Sequence, residues 1–255
     1  MRRFFFAALL FAAGTPALAQ TTELNILTPG VVYNSGIQDL AADYTKETGI
    51  KVTVKSAGMA AIVNQMKTGT PIADVVAMPI AFMDGLETEG SVTAGSRADL
   101  GRVLVGLAVK KGAPHPDIST PSKLAKVLKA GGTIIYSNPA GGSMEARIIN
   151  DMLHQHKIFD GVKTKISLKG EGGEALVRGE ADMALQLICE VFNHPEIELV
   201  APVPLELRAY IDTSLAVPTR STQQDAAKAF IAFLVRPDHA ALWKSKGLDR
   251  NPPRP

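Results

Sequence analysis

Only one cysteine, Cys189, occurs in the 255 residues, which excludes an intramolecular disulfide and leaves the fold to be held by packing. Charge of one sign is also lacking: 27 Lys and Arg stand against 25 Asp and Glu, and removal of Arg2 and Arg3 with a leader would make the counts equal. Binding to nucleic acid or to an anionic membrane through a basic surface is therefore not expected. Beyond the N-terminus no stretch approaches the roughly 20 apolar residues that span a bilayer, so membrane insertion is excluded. Histidines do not pair at ligand spacing. His154 and His156 are two apart in a helical pattern, about 200° around it, and His115, His194 and His239 stand alone; no metal is expected. Gly170-Glu171-Gly172-Gly173-Glu174 lacks the lysine and hydroxyl of a phosphate loop, and no strand-turn-helix serine elbow occurs. No cofactor is expected either.

What is present starts with a leader. Arg2 and Arg3 precede an apolar run from Phe4 to Ala13, followed by Gly14, Pro16 and Ala17-Leu18-Ala19, the pattern of a secretory signal peptide over residues 1–19. The expected mature chain is a periplasmic monomer without a cysteine at its start to carry lipid.

From there strands and helices alternate. Glu23 to Leu27, Lys51 to Lys55, Ala73 to Met78, Arg102 to Lys110, Thr133 to Ser137, Lys163 to Leu168, Ala181 to Leu187, Ile197 to Ala201 and Tyr210 to Val217 have strand patterns. Between them lie helices over Ser35–Thr48, Ala60–Lys67, Ala81–Glu89, Pro121–Ala130, Ser143–His156 and Gly173–Gly179, with one or two more over Thr222–Lys246, broken at Arg236-Pro237. Thr120 and Pro121 read as N-cap and first helical residue. This predicts an α/β fold of two lobes, each a mainly parallel sheet flanked by helices. The first lobe is discontinuous, 20–101 plus 206–255, and the second is 102–205, with a two-segment hinge near Gly101 and Pro202 to Leu207.

In parallel sheets ligands bind beyond the carboxyl ends of the strands, where loops enter helix N-termini. Here those loops are small-residue segments: Thr28-Pro29-Gly30-Val31, Ser56-Ala57-Gly58-Met59, Met78-Pro79 and Asn138-Pro139-Ala140-Gly141-Gly142-Ser143. Small residues let a ligand reach backbone N–H groups at the positive ends of helices. Each loop alone reads equally as an ordinary turn; four in corresponding places point to an anion site. The expected ligand contacts are Gly30, Val31, Ser56, Gly58, Met59, Met78, Asn138, Gly142 and Ser143. Arg147, one turn into its helix, is a candidate carboxylate partner, and Tyr33 and Tyr210 offer hydroxyls where they do not simply pack in the core. Arg102, near the hinge, reads first as a structural ion-pair partner. Tyr33, Glu145 and Glu171 lie near predicted cleft loops, with Tyr33 and Glu145 as candidates for proton transfer.

The order and spacing of Gly69-Thr70-Pro71-Ile72-Ala73-Asp74-Val75-Val76, of Gly101 to Val109, of Lys111-Gly112-Ala113-Pro114 and of Gly179-Glu180-Ala181-Asp182 resemble the type II periplasmic solute-binding proteins of the molybdate-binding kind, over nearly the whole mature chain. The resemblance implies a closing two-lobe fold that captures a small anion, an organic acid or oxyanion, for an ABC permease. That family typically places a serine after the first strand and two after the second. This chain has Pro29-Gly30-Val31 and a lone Ser56, so the likeness does not carry molybdate specificity. A few proteins of this branch are enzymes, notably aconitate isomerase, and the resemblance thereby implies a second function, isomerisation of a small tricarboxylate by proton transfer.

Overall fold

The computed structural model describes residues 23–252; the leader predicted over 1–19 lies outside the described residues. Ten strands among them join in one continuous, branched sheet. They are β1 Glu23–Thr28, β2 Lys51–Ser56, β3 Val75–Pro79, β4 Ala98–Lys110, β5 Thr133–Tyr136, β6 Lys163–Ile166, β7 Met183–Leu187, β8 Ile197–Pro202, β9 Tyr210–Ala216 and β10 Leu248–Asp249. The order is β2-β1-β3-β9-β4-β7-β5-β6, with β8 and β10 also paired to β4. Around them lie α1 Gly30–Val32, α2 Gln38–Thr48, α3 Met59–Thr68, α4 Ile80–Thr88, α5 Pro121–Ala130, α6 Met144–Gln155, α7 Gly172–Val177, α8 Ile188–Val191, α9 Gln224–Leu234 and α10 Ala240–Ser245.

Each end of the sheet is parallel: β1 with β2 and β3, and β5 with β6 and β7. These are the strands whose connections run through helices, as crossover geometry requires. The antiparallel pairings belong to the strands that pass between the two ends. β4 runs against β9 from Ala98 to Leu104 and then against β7 from Val105 to Val109, so this one strand belongs to both lobes. The return segment is tied to it where the partners change: Val105 N–H donates to Ala209 O at 2.9 Å, and Val203 N–H donates to Val105 O at 3.0 Å.

Local chemistry places the helix boundaries. Thr120 Oγ1 accepts from Lys123 N–H (3.3 Å) with Pro121 first in α5, and Ser143 Oγ accepts from Ala146 N–H (3.2 Å) at the start of α6. Gly49 and Gly69 end α2 and α3 in the left-handed region, φ 75 and 70. Two departures from the sequence pattern matter for the site. The first helix starts at Gly30, five residues earlier than its periodicity suggests, and continues through a π turn in which Gly36 has φ 106. β4 begins at Ala98 because Leu215 of β9, far along the chain, supplies its partner; local pattern holds no trace of that pairing.

The core runs through both lobes, from Leu24, Ile26 and Leu40 to Leu107, Ile134 and Leu185, and closes around Trp243, whose Nε1–H donates to Leu234 O at 3.0 Å. At the hinge Arg102, 8% exposed, grips Asp212 with Nε–Oδ1 at 2.7 Å and Nη2–Oδ2 at 2.9 Å, and its guanidinium lies 3.6 Å from the centroid of the Tyr210 ring. Replacing Arg102 by Met is expected to destabilise the protein by about 1–3 kcal/mol, since Asp212 loses a two-pronged charged partner. Urea unfolding of the variant checks this; an unchanged midpoint would show the clamp to be ornamental.

Candidate functional site

The loops that leave the carboxyl ends of the strands in both lobes face one another across a cleft of about 850 Å³. One wall, from the β1–β3 lobe, contains Pro29, Gly30, Val31, Pro79 and the run Ser56 to Ala61. α3 begins here with Gly58 at its N-cap and no side chain capping it, so its first N–H groups remain available as donors at the helix's positive end. This wall carries no charged side chain among the described residues.

The other wall has the opposite character. It is built of Ser137, Asn138, Gly141, Gly142, Ser143, Ser167 and three glutamates, Glu145, Glu171 and Glu190. Glu145, on the first turn of α6, is 5% exposed. Both of its oxygens are taken: Ser137 Oγ donates to Oε2 at 3.2 Å, and Leu187 N–H donates to Oε1 at 3.0 Å. Glu171 and Glu190 share a single donor. Gln186, fully buried on β7, accepts the Gly173 N–H on its Oε1, which fixes the orientation of its amide. Its Nε2 then donates to Glu171 Oε2 at 2.9 Å and to Glu190 Oε2 at 2.8 Å. No described residue donates to the second oxygen of either carboxyl. Across the gap, a Cβ placed on Gly30 would lie 3.7 Å from Glu190 Oε1, which puts Glu190 beside the start of α1. α8, which carries Glu190, is seated by the C-terminal segment: Gly247, φ 88, packs so closely that a Cβ there would stand 2.7 Å from Cys189 N.

Burial and proximity shift these carboxyls together. Burial raises Glu145 to about 8, and the neighbouring Glu171 charge adds to it against the pull of the Leu187 N–H and Ser137 hydroxyl. Glu190 is pushed well above the carboxylate range by burial and then by Glu145 and Glu171, with Gln186 opposing. Glu171, less buried, is raised by burial and by Glu174, while His194 and Gln186 pull it down. The buried Cys189 thiol beneath them is also pushed up, first by burial and then by Glu190; it makes a long contact to Val31 O at 3.6 Å and faces no solvent.

Of the residues anticipated from sequence, Gly30, Val31, Ser56, Gly58, Met59, Asn138, Gly142, Ser143 and Glu145 line the cleft. Four do not. Met78 is fully buried because every residue of β3 is, and only Pro79 reaches the cleft. Tyr210 has its ring covered by Arg102. Tyr33 lies beyond the first turn of a helix that starts earlier than expected, in the π turn. Arg147 lines an adjoining hollow instead. Glu171, also read as near a cleft loop, lines the cleft beside Glu145, and Glu190 joins them to give it an acidic wall. Glu190 and Gln186 were missed, although a signal existed: both interrupt an otherwise apolar run, Met183 to Val191, and a buried polar group in such a run demands a partner. Among the described residues no group of three or more His, Cys, Asp or Glu is arranged to hold a metal, and no helix is long and apolar enough to cross a membrane.

This architecture, two α/β lobes joined by strands that cross between them around a shared cleft, is that of the two-lobed binding proteins. Residues 32–249 match the family described as bacterial extracellular solute-binding protein, and the chain belongs to that family. It is 31% identical to an aconitate isomerase from Pseudomonas sp over 96% of this chain and 95% of that protein. It is 25% identical to the molybdate-binding protein of Escherichia coli (strain K12), covering 94% of each. Among solved structures, the periplasmic molybdate-binding protein of Azotobacter vinelandii superposes with a TM-score of 0.69 at 16% identity, covering 91% of this chain and all of that one.

Proposed function

We propose that the protein is a periplasmic isomerase that takes a small unsaturated tricarboxylate of the aconitate type into the cleft and moves a proton on it. The carrying observation is the pair Glu171 and Glu190, held by one amide with an oxygen of each left open to the cleft. Two carboxyls whose surroundings differ divide the work of acid and base. Glu171, less buried and eased by His194, is the base; Glu190, buried beside like charge, keeps a proton and is the acid.

In the reaction a carboxylate oxygen of Glu171 takes a proton from the methylene carbon, and the double bond shifts toward it. The released electron pair spreads onto a substrate carboxylate that faces the uncapped N–H groups at the start of α3. A proton then returns to the former vinylic carbon, so one C–H bond breaks and another forms with no net oxidation. The likeness to the aconitate isomerase over almost the full chain supports this reading. Closure would turn about β4 and the segment after β8, with residues 20–101 and 206–255 forming one lobe and 102–205 the other, after removal of a leader over 1–19.

A second reading is capture of a small anion, an organic acid or oxyanion, for an ABC permease. It is favoured by the four serines that reach the cleft, Ser56, Ser137, Ser143 and Ser167, and by the molybdate-binding relatives. Incubating the purified protein with cis-aconitate separates the two: appearance of trans-aconitate supports the isomerase, and tight binding with the acid recovered unchanged supports the carrier.

A further inference from the structure

A substrate with three carboxylates poses a charge problem for this cleft, because the residues that line it include three glutamates and no lysine or arginine. Cations stand just outside. A hollow of about 480 Å³ shares Met59, Ala60 and Gly142 with the cleft and is lined further out by Lys67 and Arg147. The two cations come from opposite lobes, Lys67 from the end of α3 and Arg147 from the first turns of α6. Lys67 is partly engaged with Glu89 at 3.2 Å. Arg147 is exposed and makes no ion pair or side-chain hydrogen bond with any described residue. Between the cations the walls come from Val63, Phe82 and Asn64.

We propose that this hollow is an outer subsite for a terminal carboxylate, with Arg147 as its main partner and Lys67 supporting it from the other lobe. The assignment rests on the reading of the substrate as a small polycarboxylate. Physically, the charge of Glu171 repels the substrate's charged end and the guanidinium attracts it, so the acid enters with one orientation. Its uncharged methylene carbon is left against Glu171 and Glu190, and its outer carboxylate bridges both lobes at the mouth. A guanidinium suits this position because it stays charged and meets a carboxylate with two N–H groups at once.

The test uses two saturated acids that cannot be isomerised: propane-1,2,3-tricarboxylate, and methylsuccinate, which is the same skeleton without one terminal carboxylate. Calorimetric titration of the wild type should show the tricarboxylate bound at least tenfold more tightly. Arg147→Met should remove that advantage and leave methylsuccinate binding within about twofold, and Lys67→Met should remove a smaller part of it. Since Arg147 is exposed, the thermal midpoint should not move. Equal affinity of the wild type for both acids, or an Arg147→Met variant that retains the preference, overturns the subsite. Loss of the preference in Arg147→Met together with no turnover of cis-aconitate by the wild type keeps the subsite and sinks the isomerase. A wild type that binds neither acid overturns both.

Discussion

Glu171→Gln should lose turnover of cis-aconitate by two to four orders of magnitude, the usual contribution of a positioned proton-transferring group, while still binding propane-1,2,3-tricarboxylate at least as tightly as the wild type. The reason lies in the sign of the charge. Glutamine keeps the side chain's shape and its contact with Gln186 but cannot take a proton, and it removes a negative group from a wall that faces an anion. Glu190→Gln should behave in the same way for the return of the proton. The paired readout separates chemistry from capture. If either variant bound the saturated acid far more weakly, its carboxyl would be a ligand contact and not a proton carrier.

The second large effect is on stability and its dependence on pH. Glu145 has its ordinary value near 4.5 in the unfolded chain and is raised to about 8 in the fold. The sign follows from proton counting. Below pH 4.5 the group is protonated in both states and costs nothing. As pH rises, the unfolded chain releases the proton first, so stability falls progressively through the window up to about 8. The loss from this residue is on the order of 5 kcal/mol. Glu171 and Glu190 are shifted in the same direction and steepen the fall. Glu145→Gln removes its share. Urea unfolding at pH 5, 6.5 and 8 should show the variant gaining on the wild type as pH rises. Parallel pH profiles for the two proteins would mean that Glu145 is ionised in the fold throughout.

The alternation of strands and helices was legible because each element buries its own apolar stripe. The capping residues Thr120 and Ser143 act within their own turn, so their role can be read from three or four neighbours. Loop chemistry was legible for the same reason: Gly30, Ser56, Gly58, Asn138 and Gly142 come to the cleft because strand ends in this kind of sheet point there. What stayed hidden depends on contacts between distant segments. The start of β4 at Ala98 is set by β9, and the small strand β10 exists only as a partner of β4. The acidic wall is the clearest case. Glu145, Glu171 and Glu190 are spread over 46 positions and three elements, and only the fold brings them to one surface. Glu145 and Glu171 read as near cleft loops from their positions, whereas Glu190 and the donor it shares with Glu171 are visible only in the fold. Met78 and Tyr210 illustrate the reverse error: both lie at strand ends in sequence, yet full burial of β3 and the Arg102 guanidinium take them out of the cleft.

The most direct test of the account is to incubate the wild-type protein with cis-aconitate in D2O and follow the acid by proton NMR. Proton transfer through the open oxygens of Glu171 and Glu190 predicts trans-aconitate carrying solvent deuterium on carbon. Recovery of the acid with its geometry unchanged and no deuterium on carbon, under conditions where calorimetry shows it bound, would contradict the account and leave a carrier.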